Sequence, residues 1–179
     1  SCALGRSGCR WGGMQHRLGA PTGFAPPPAG VSTLRPFRCT QMQLPFHTLD
    51  VFTDRTFGGN PLGVFPDAAH LPTDLMQRIA LEMHLSETVF LGPPESGEGS
   101  ARVRIFTPGR EVPFAGHPTV GSAIFLAAEA AESGEAGAED SLTFVLEENV
   151  GPVAVAVRLK GGTPVFAQFT TAVLPAHRP

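Results

Sequence analysis

Three short stretches hold the polar residues best suited to chemistry: Gly-Gly-Asn-Pro at 58–61, Leu-Ser-Glu-Thr-Val-Phe at 85–90 and Gly-His-Pro-Thr at 116–119. The middle one sets Glu87 beside Leu85, Val89 and Phe90. A carboxyl among such neighbours loses water, and desolvation favours its protonated form, a condition for both taking and returning a proton near neutrality. On its own, the same glutamate reads more readily as a helix-terminal or strand-edge residue exposed to water, and Ser86 equally as a turn hydroxyl.

His117 stands between Gly116 and Pro118. Proline at the first helical position sacrifices no hydrogen bond, so the pair predicts a helix opening at Pro118 with His117 on its N-cap side. Helix starts attract anions through free amides and the positive end of the dipole. Gly116 would let the backbone approach a ligand and Thr119 would add a hydroxyl. The alternative is a histidine that simply caps the helix. Asn60 is a good turn residue, and His47, Asp50 and Glu111 have equally structural readings. Arg104 or Arg110 either meets a carboxylate or decorates a solvent face.

Other chemistries lack their residues. There is no Walker phosphate loop, dinucleotide fingerprint, paired histidine at metal spacing or Gly-x-Ser-x-Gly elbow. The three cysteines, Cys2, Cys9 and Cys39, all fall in the first 41 residues, so the body of the chain offers no thiolate nucleophile or cage. No metal or coenzyme is expected. Residues 42–179 carry 8 basic against 16 acidic side chains, with Lys160 the single lysine, which speaks against a nucleic-acid surface. Apolar residues make up 42% and charged residues 16%, and no apolar run approaches the roughly 18 residues of a membrane helix. A cytoplasmic location is the expectation.

These residues need a scaffold. Phe46–Thr53 and Leu62–Phe65 read as strands joined through turn chemistry, a hairpin-like opening. Leu75, Met76, Ile79, Ala80 and Met83 recur at helical spacing behind Thr73 or Asp74 as N-cap. Residues 86–92 and 101–108 return to strand pattern, and Val120, Ile124, Ala127 and Ala128 predict a small-residue helix through about residue 131, able to serve as an axle inside a curved sheet. An acidic loop over 132–141 precedes three strand candidates at 142–146, 151–159 and 164–171. The layout is α+β: a mostly antiparallel curved sheet or barrel wrapped around a central helix. Residues 1–41, rich in Gly, Pro, Ser and Arg, read as a disordered or non-native leader, 42–171 as the domain and 172–179 as a cut linker.

Taken together, Leu49–Phe65, Met83–Leu91, Arg104–Ala123 and Gly151–Val157 resemble the phenazine-biosynthesis PhzF-like isomerase family, a branch of the diaminopimelate-epimerase fold. The resemblance runs over about residues 44–171. It implies two similar halves, each a sheet curled around a helix, with the active site between them. It implies an isomerase that shifts a proton within a small carboxylate, without metal or coenzyme. Glu87 would then be the acid/base, and Asn60, Ser86, Gly116, His117, Pro118 and Thr119 would hold the substrate. Members of that family are longer and supply further cleft residues, including an aspartate, from a second half. The expectation is therefore a fragment with half a site, completed by the missing half or by a homodimer. The competing expectation is a non-catalytic protein-binding module that keeps the half-fold.

Overall fold

The computed structural model describes residues 3–4, 43–136 and 140–170. The leader read at 1–41, apart from Ala3 and Leu4, and the linker read at 172–179 lie outside the described residues. Among the described residues, nine strands and two helices follow in the order β1 (Ala3–Leu4), β2 (His47–Val51), β3 (Asn60–Phe65), α1 (Thr73–Met83), β4 (Glu87–Gly92), β5 (Ala101–Phe106), β6 (Glu111–Val112), α2 (Gly116–Ser133), β7 (Ser141–Glu148), β8 (Gly151–Lys160) and β9 (Thr163–Phe169). The expected hairpin-like opening forms, since β2 and β3 pair antiparallel with Leu49 opposite Leu62. The three expected C-terminal strands form as well; β7 and β8 run longer than expected, and β9 ends at Phe169.

All the strands join one sheet in the order β1-β2-β3-β4-β5-β7-β8-β9, with β6 on the edge of β5. Six of its eight pairings are antiparallel; β3 with β4 and β5 with β7 are parallel. Each parallel pair needs a crossover. Helix α1 sits within the first and α2 within the second.

The sheet curls around α2. That helix touches β2, β3 and β4 near one end of the strand order and β7, β8 and β9 at the other. Eleven of its residues are buried, from His117 to Ala128, and most are small, so strands approach on several sides. Gly121 shows how close: a β-carbon there would stand 2.5 Å from Leu62 Cδ2 and 3.0 Å from Val51 Cγ2. The expected axle is thus the observed one, and the fold class is α+β.

Strand alternation divides the core in two. Val64, Val89 and Ile105 turn toward α2 with Leu49, Val51, Leu62, Val153, Val155 and Val157. Phe65, Phe90 and Phe106 turn to the opposite face and pack with Met76 and Ala80 of α1. Their rings lie 5.1 and 5.4 Å apart along the series. Burying each such side chain contributes roughly 1.5–3 kcal/mol. Strands covered on both faces read as continuous apolar runs, which is why Thr88–Leu91 shows no alternation.

Two helix starts differ from the sequence expectation. The N-cap of α1 is Pro72, not Thr73 or Asp74, and no side chain caps it; the Thr73 hydroxyl instead accepts from Arg104 Nη2 at 3.0 Å. Helix α2 begins at Gly116 behind Ala115 in extended backbone, so His117 is the second helical residue and Pro118 the third. Proline is tolerated there because the first-turn amides have no partner within the helix. No described helix is long and apolar enough to cross a membrane.

Candidate active site

Glu87 opens β4, and what precedes it fixes the direction of entry. Helix α1 ends at His84, whose left-handed backbone (φ 56°) turns the chain through Leu85 and Ser86 into the strand. Because β3 and β4 run parallel with Leu62 opposite Glu87, the first residues of both strands lie at one edge of the sheet. Asn60, at the start of β3, meets Ser86 there: the Ser86 hydroxyl donates to Asn60 Oδ1 at 3.2 Å. The loop leading into Asn60 is held by Asp50, whose carboxylate accepts from the Phe57 amide at 2.7 Å.

The first turn of α2 comes to the same edge. His117 Nε2 lies 3.3 Å from Glu87 Oε2, with the two side chains 8% and 20% exposed. Despite that approach neither atom completes a hydrogen bond, with the other or with any other described group, and both are buried. Burial holds the His117 pKa below its ordinary value of 6.5, against the opposing pull of the Glu87 charge and of a hydrogen bond with the Pro61 carbonyl. At neutral pH the ring is therefore uncharged. With Nε2 unpartnered, the Pro61 carbonyl falls to Nδ1, which assigns the ring proton to Nδ1 and the lone pair to Nε2. A lone pair and a carboxyl oxygen then face each other, and one proton between them would satisfy both.

Comparison with known proteins places the chain. A family model described as phenazine biosynthesis-like protein matches residues 49–176. The chain belongs to the phenazine biosynthesis-like protein family. An uncharacterized isomerase of Mesorhizobium japonicum is 56% identical over 126 residues, covering 70% of this chain and 39% of the relative. A trans-2,3-dihydro-3-hydroxyanthranilate isomerase of Pseudomonas fluorescens is 42% identical over 121 residues, covering 68% and 40%. Among solved structures, a phenazine biosynthesis protein of the PhzF family from Bacillus anthracis superposes with a TM-score of 0.57 at 31% identity, covering 72% of this chain and 40% of that one. The chain spans about two fifths of the length of the curated relatives it matches.

Within this phenazine biosynthesis-like chain, the residues singled out from sequence divide into three groups. Asn60, Ser86, Glu87 and His117 come together, and Gly116 adjoins them with open space where a β-carbon would stand. Pro118 is buried in the first turn of α2, where it supplies shape, without an amide of its own. Thr119 departs from expectation: it is fully buried, and its hydroxyl lies 2.8 Å from the Ala115 carbonyl and 2.6 Å from Glu148 Oε1, so it is not offered to a ligand. Arg104 is engaged as well. Its Nε and Nη2 fork onto Glu111 at 2.8 and 2.7 Å, and that pairing holds the Glu111 carboxyl below its usual range.

Glu148 was not legible as a candidate, yet it is buried at 5% exposure and burial raises its pKa to about 7. The signal was present in the alternation of β7: the face that buries Leu146 must bury Glu148 two residues on. A groove of about 760 Å³, lined by Glu95, Ser96, Glu98, Arg102, Glu147 and Glu148 among others, opens on that side. Its lining does not include Glu87 or His117. Inside it Glu147 accepts from the amides of Glu95 and Ser96, and Arg102, the one basic residue of the lining, reaches Glu95.

Proposed function

We propose that this chain carries the proton-moving part of an isomerase that acts on a small carboxylate, with Glu87 as the acid/base. One observation carries the reading: two buried polar atoms, Glu87 Oε2 and His117 Nε2, face each other at 3.3 Å with no other partner among the described residues. Unmet buried polar atoms are rare in folded proteins, and a reacting proton is a reason to keep them. A carboxyl can take a proton from one carbon and return it to another on the same face of a substrate. Neutral His117 accepts or relays that proton. The amides of Gly116 and His117, which have no helical partner, and the positive end of α2 hold the substrate carboxylate. Asn60 and Ser86 line the same edge. The reading needs no metal or coenzyme.

The relative named for trans-2,3-dihydro-3-hydroxyanthranilate supplies the first compound to test. A second half, or a second copy of this chain, would complete the cleft in a protein of the relatives' length. The test is solvent exchange: in D₂O, the chain completed by a second half or second copy should bring deuterium into a carbon position of that substrate, the chain alone should be inactive or nearly so, and Glu87→Gln in the completed protein should lower the rate by a factor on the order of 10²–10⁴. An unchanged rate in Glu87→Gln would remove Glu87 from the mechanism.

A non-catalytic binding module is the second reading, favoured by Phe52 and Phe57, which stand 65% and 95% exposed in the loop before Asn60. It predicts a stable partner complex that Phe57→Ser weakens and Glu87→Gln leaves intact.

A further inference from the structure

The Thr119 hydroxyl has one proton and two acceptors within reach, the Ala115 carbonyl at 2.8 Å and Glu148 Oε1 at 2.6 Å. Only one arrangement satisfies both contacts. With Glu148 protonated and donating to Thr119 Oγ1, the threonine proton is left for the Ala115 carbonyl, which also accepts the Thr119 amide at 3.1 Å. The other carboxyl oxygen, Oε2, is buried with no partner among the described residues. A neutral carbonyl oxygen bears that isolation far better than half of a carboxylate.

We propose that Glu148 is a positioning residue for the first turn of α2: as a neutral acid it leaves the threonine proton on the Ala115 carbonyl, beside the bond from the Thr119 amide at 3.1 Å, and on ionising it draws that proton away and leaves the carbonyl to the amide alone. Ala115 is the N-cap, one residue before Gly116 and two before His117. The same corner is tied a second time, because the Val150 amide just beyond β7 donates to the Pro113 carbonyl at 3.0 Å. The charged groups around Glu148 are few. From β5 comes Arg102, whose guanidinium is bonded to Glu95, the Glu147 carbonyl and Asn149. On β7 itself is Glu147, and β6 brings Glu111, reached through Asn149. From α2 the contact is Thr119 alone. Burial, only partly offset by Thr119 and Arg102, supports the neutral form near neutrality.

The functional consequence rests on reading the first turn of α2 as the element that holds substrate, and the test avoids turnover so that the two ideas fail separately. The chain is labelled at the glutamate carboxyl carbon and at backbone nitrogen, and the Glu148 carboxyl and the Gly116, His117 and Thr119 amides are followed by NMR across neutral pH. The Glu148 carboxyl should titrate with a midpoint about 7, and the three amides should move with it. Burial shifts the His117 titration downward, and its ring is followed in the same samples so that the two events are told apart. In Glu148→Gln the amides should keep their low-pH positions throughout. Thr119→Val should uncouple the amides from a carboxyl that still titrates, and Thr119→Ser should restore the coupling. Should Glu148→Gln fail to fold, the two Thr119 variants decide alone. Amides that titrate alike in Thr119→Val and the parent chain, or a Glu148 carboxyl ionised throughout, would overturn the proposal. A normal exchange rate in Glu87→Gln would instead sink the isomerase reading and leave this one standing.

Discussion

Glu87 Oε2 and His117 Nε2 approach to 3.3 Å at one edge of the sheet, although one opens a strand and the other lies in the first turn of a helix from a different part of the chain. The parallel pairing of β3 with β4 sets the glutamate, and the close seating of α2 against Leu62 sets the histidine. The contact is thus a product of topology, and each part of that support can be tested separately.

The protonation state of His117 is the first test. Its folded pKa lies below 6.5, so the neutral ring persists through neutrality and is lost as pH falls through that lower value. Imidazole NMR should show a midpoint below 6.5, and solvent exchange on substrate should fall on the same acid limb. A midpoint above 6.5 would mean that the Glu87 charge outweighs burial and that His117 works as a cation.

Two glycines of α2 should separate fold from site. A β-carbon at Gly121 collides with Leu62 and Val51, so Gly121→Ala should cost about 1–3 kcal/mol of stability by overpacking. A β-carbon at Gly116 meets nothing within 4 Å. Gly116→Ala should leave stability within about 0.5 kcal/mol of the parent while weakening carboxylate binding. Urea unfolding and ligand titration of both variants check the pair.

Glu148 should leave a mark on stability that runs opposite to the usual carboxylate. Its pKa is raised from 4.5 to about 7, so between those values the folded chain holds a proton that the unfolded chain has released. Stability from this group therefore falls as pH rises through the window, by at most about 3 kcal/mol. His117 acts in the opposite sense below 6.5, and Glu111 loses its contribution as pH falls below 4.5. Both cancel in the difference between the parent chain and Glu148→Gln. That difference should decline across the window; a flat difference would show the carboxyl ionised in the folded state.

Much of the fold was legible because its signals are local. Apolar spacing marks α1 and α2, β-branched runs mark β7 to β9, and the small residues of α2 announce a helix packed on several sides. The parallel pairings were not legible, since partners in such pairs are separated by a helix and no short pattern records them. The start of α2 was misplaced by two residues because a helix begins where the backbone turns, at extended Ala115, and Pro118 is as comfortable in the third position as in the first. The Glu87 and His117 stretches were legible from their residue types and from the family resemblance. The inward turn of Thr119 was hidden because its partner, Glu148, comes from a distant strand.

The most direct test of Glu87 as the proton carrier uses substrate deuterated at the carbon that loses its hydrogen, turned over in ordinary water. The account predicts that part of the label appears at the receiving carbon of the product, carried there by one carboxyl, and that both turnover and transfer disappear in Glu87→Gln. Transfer and turnover that persist in Glu87→Gln would contradict it.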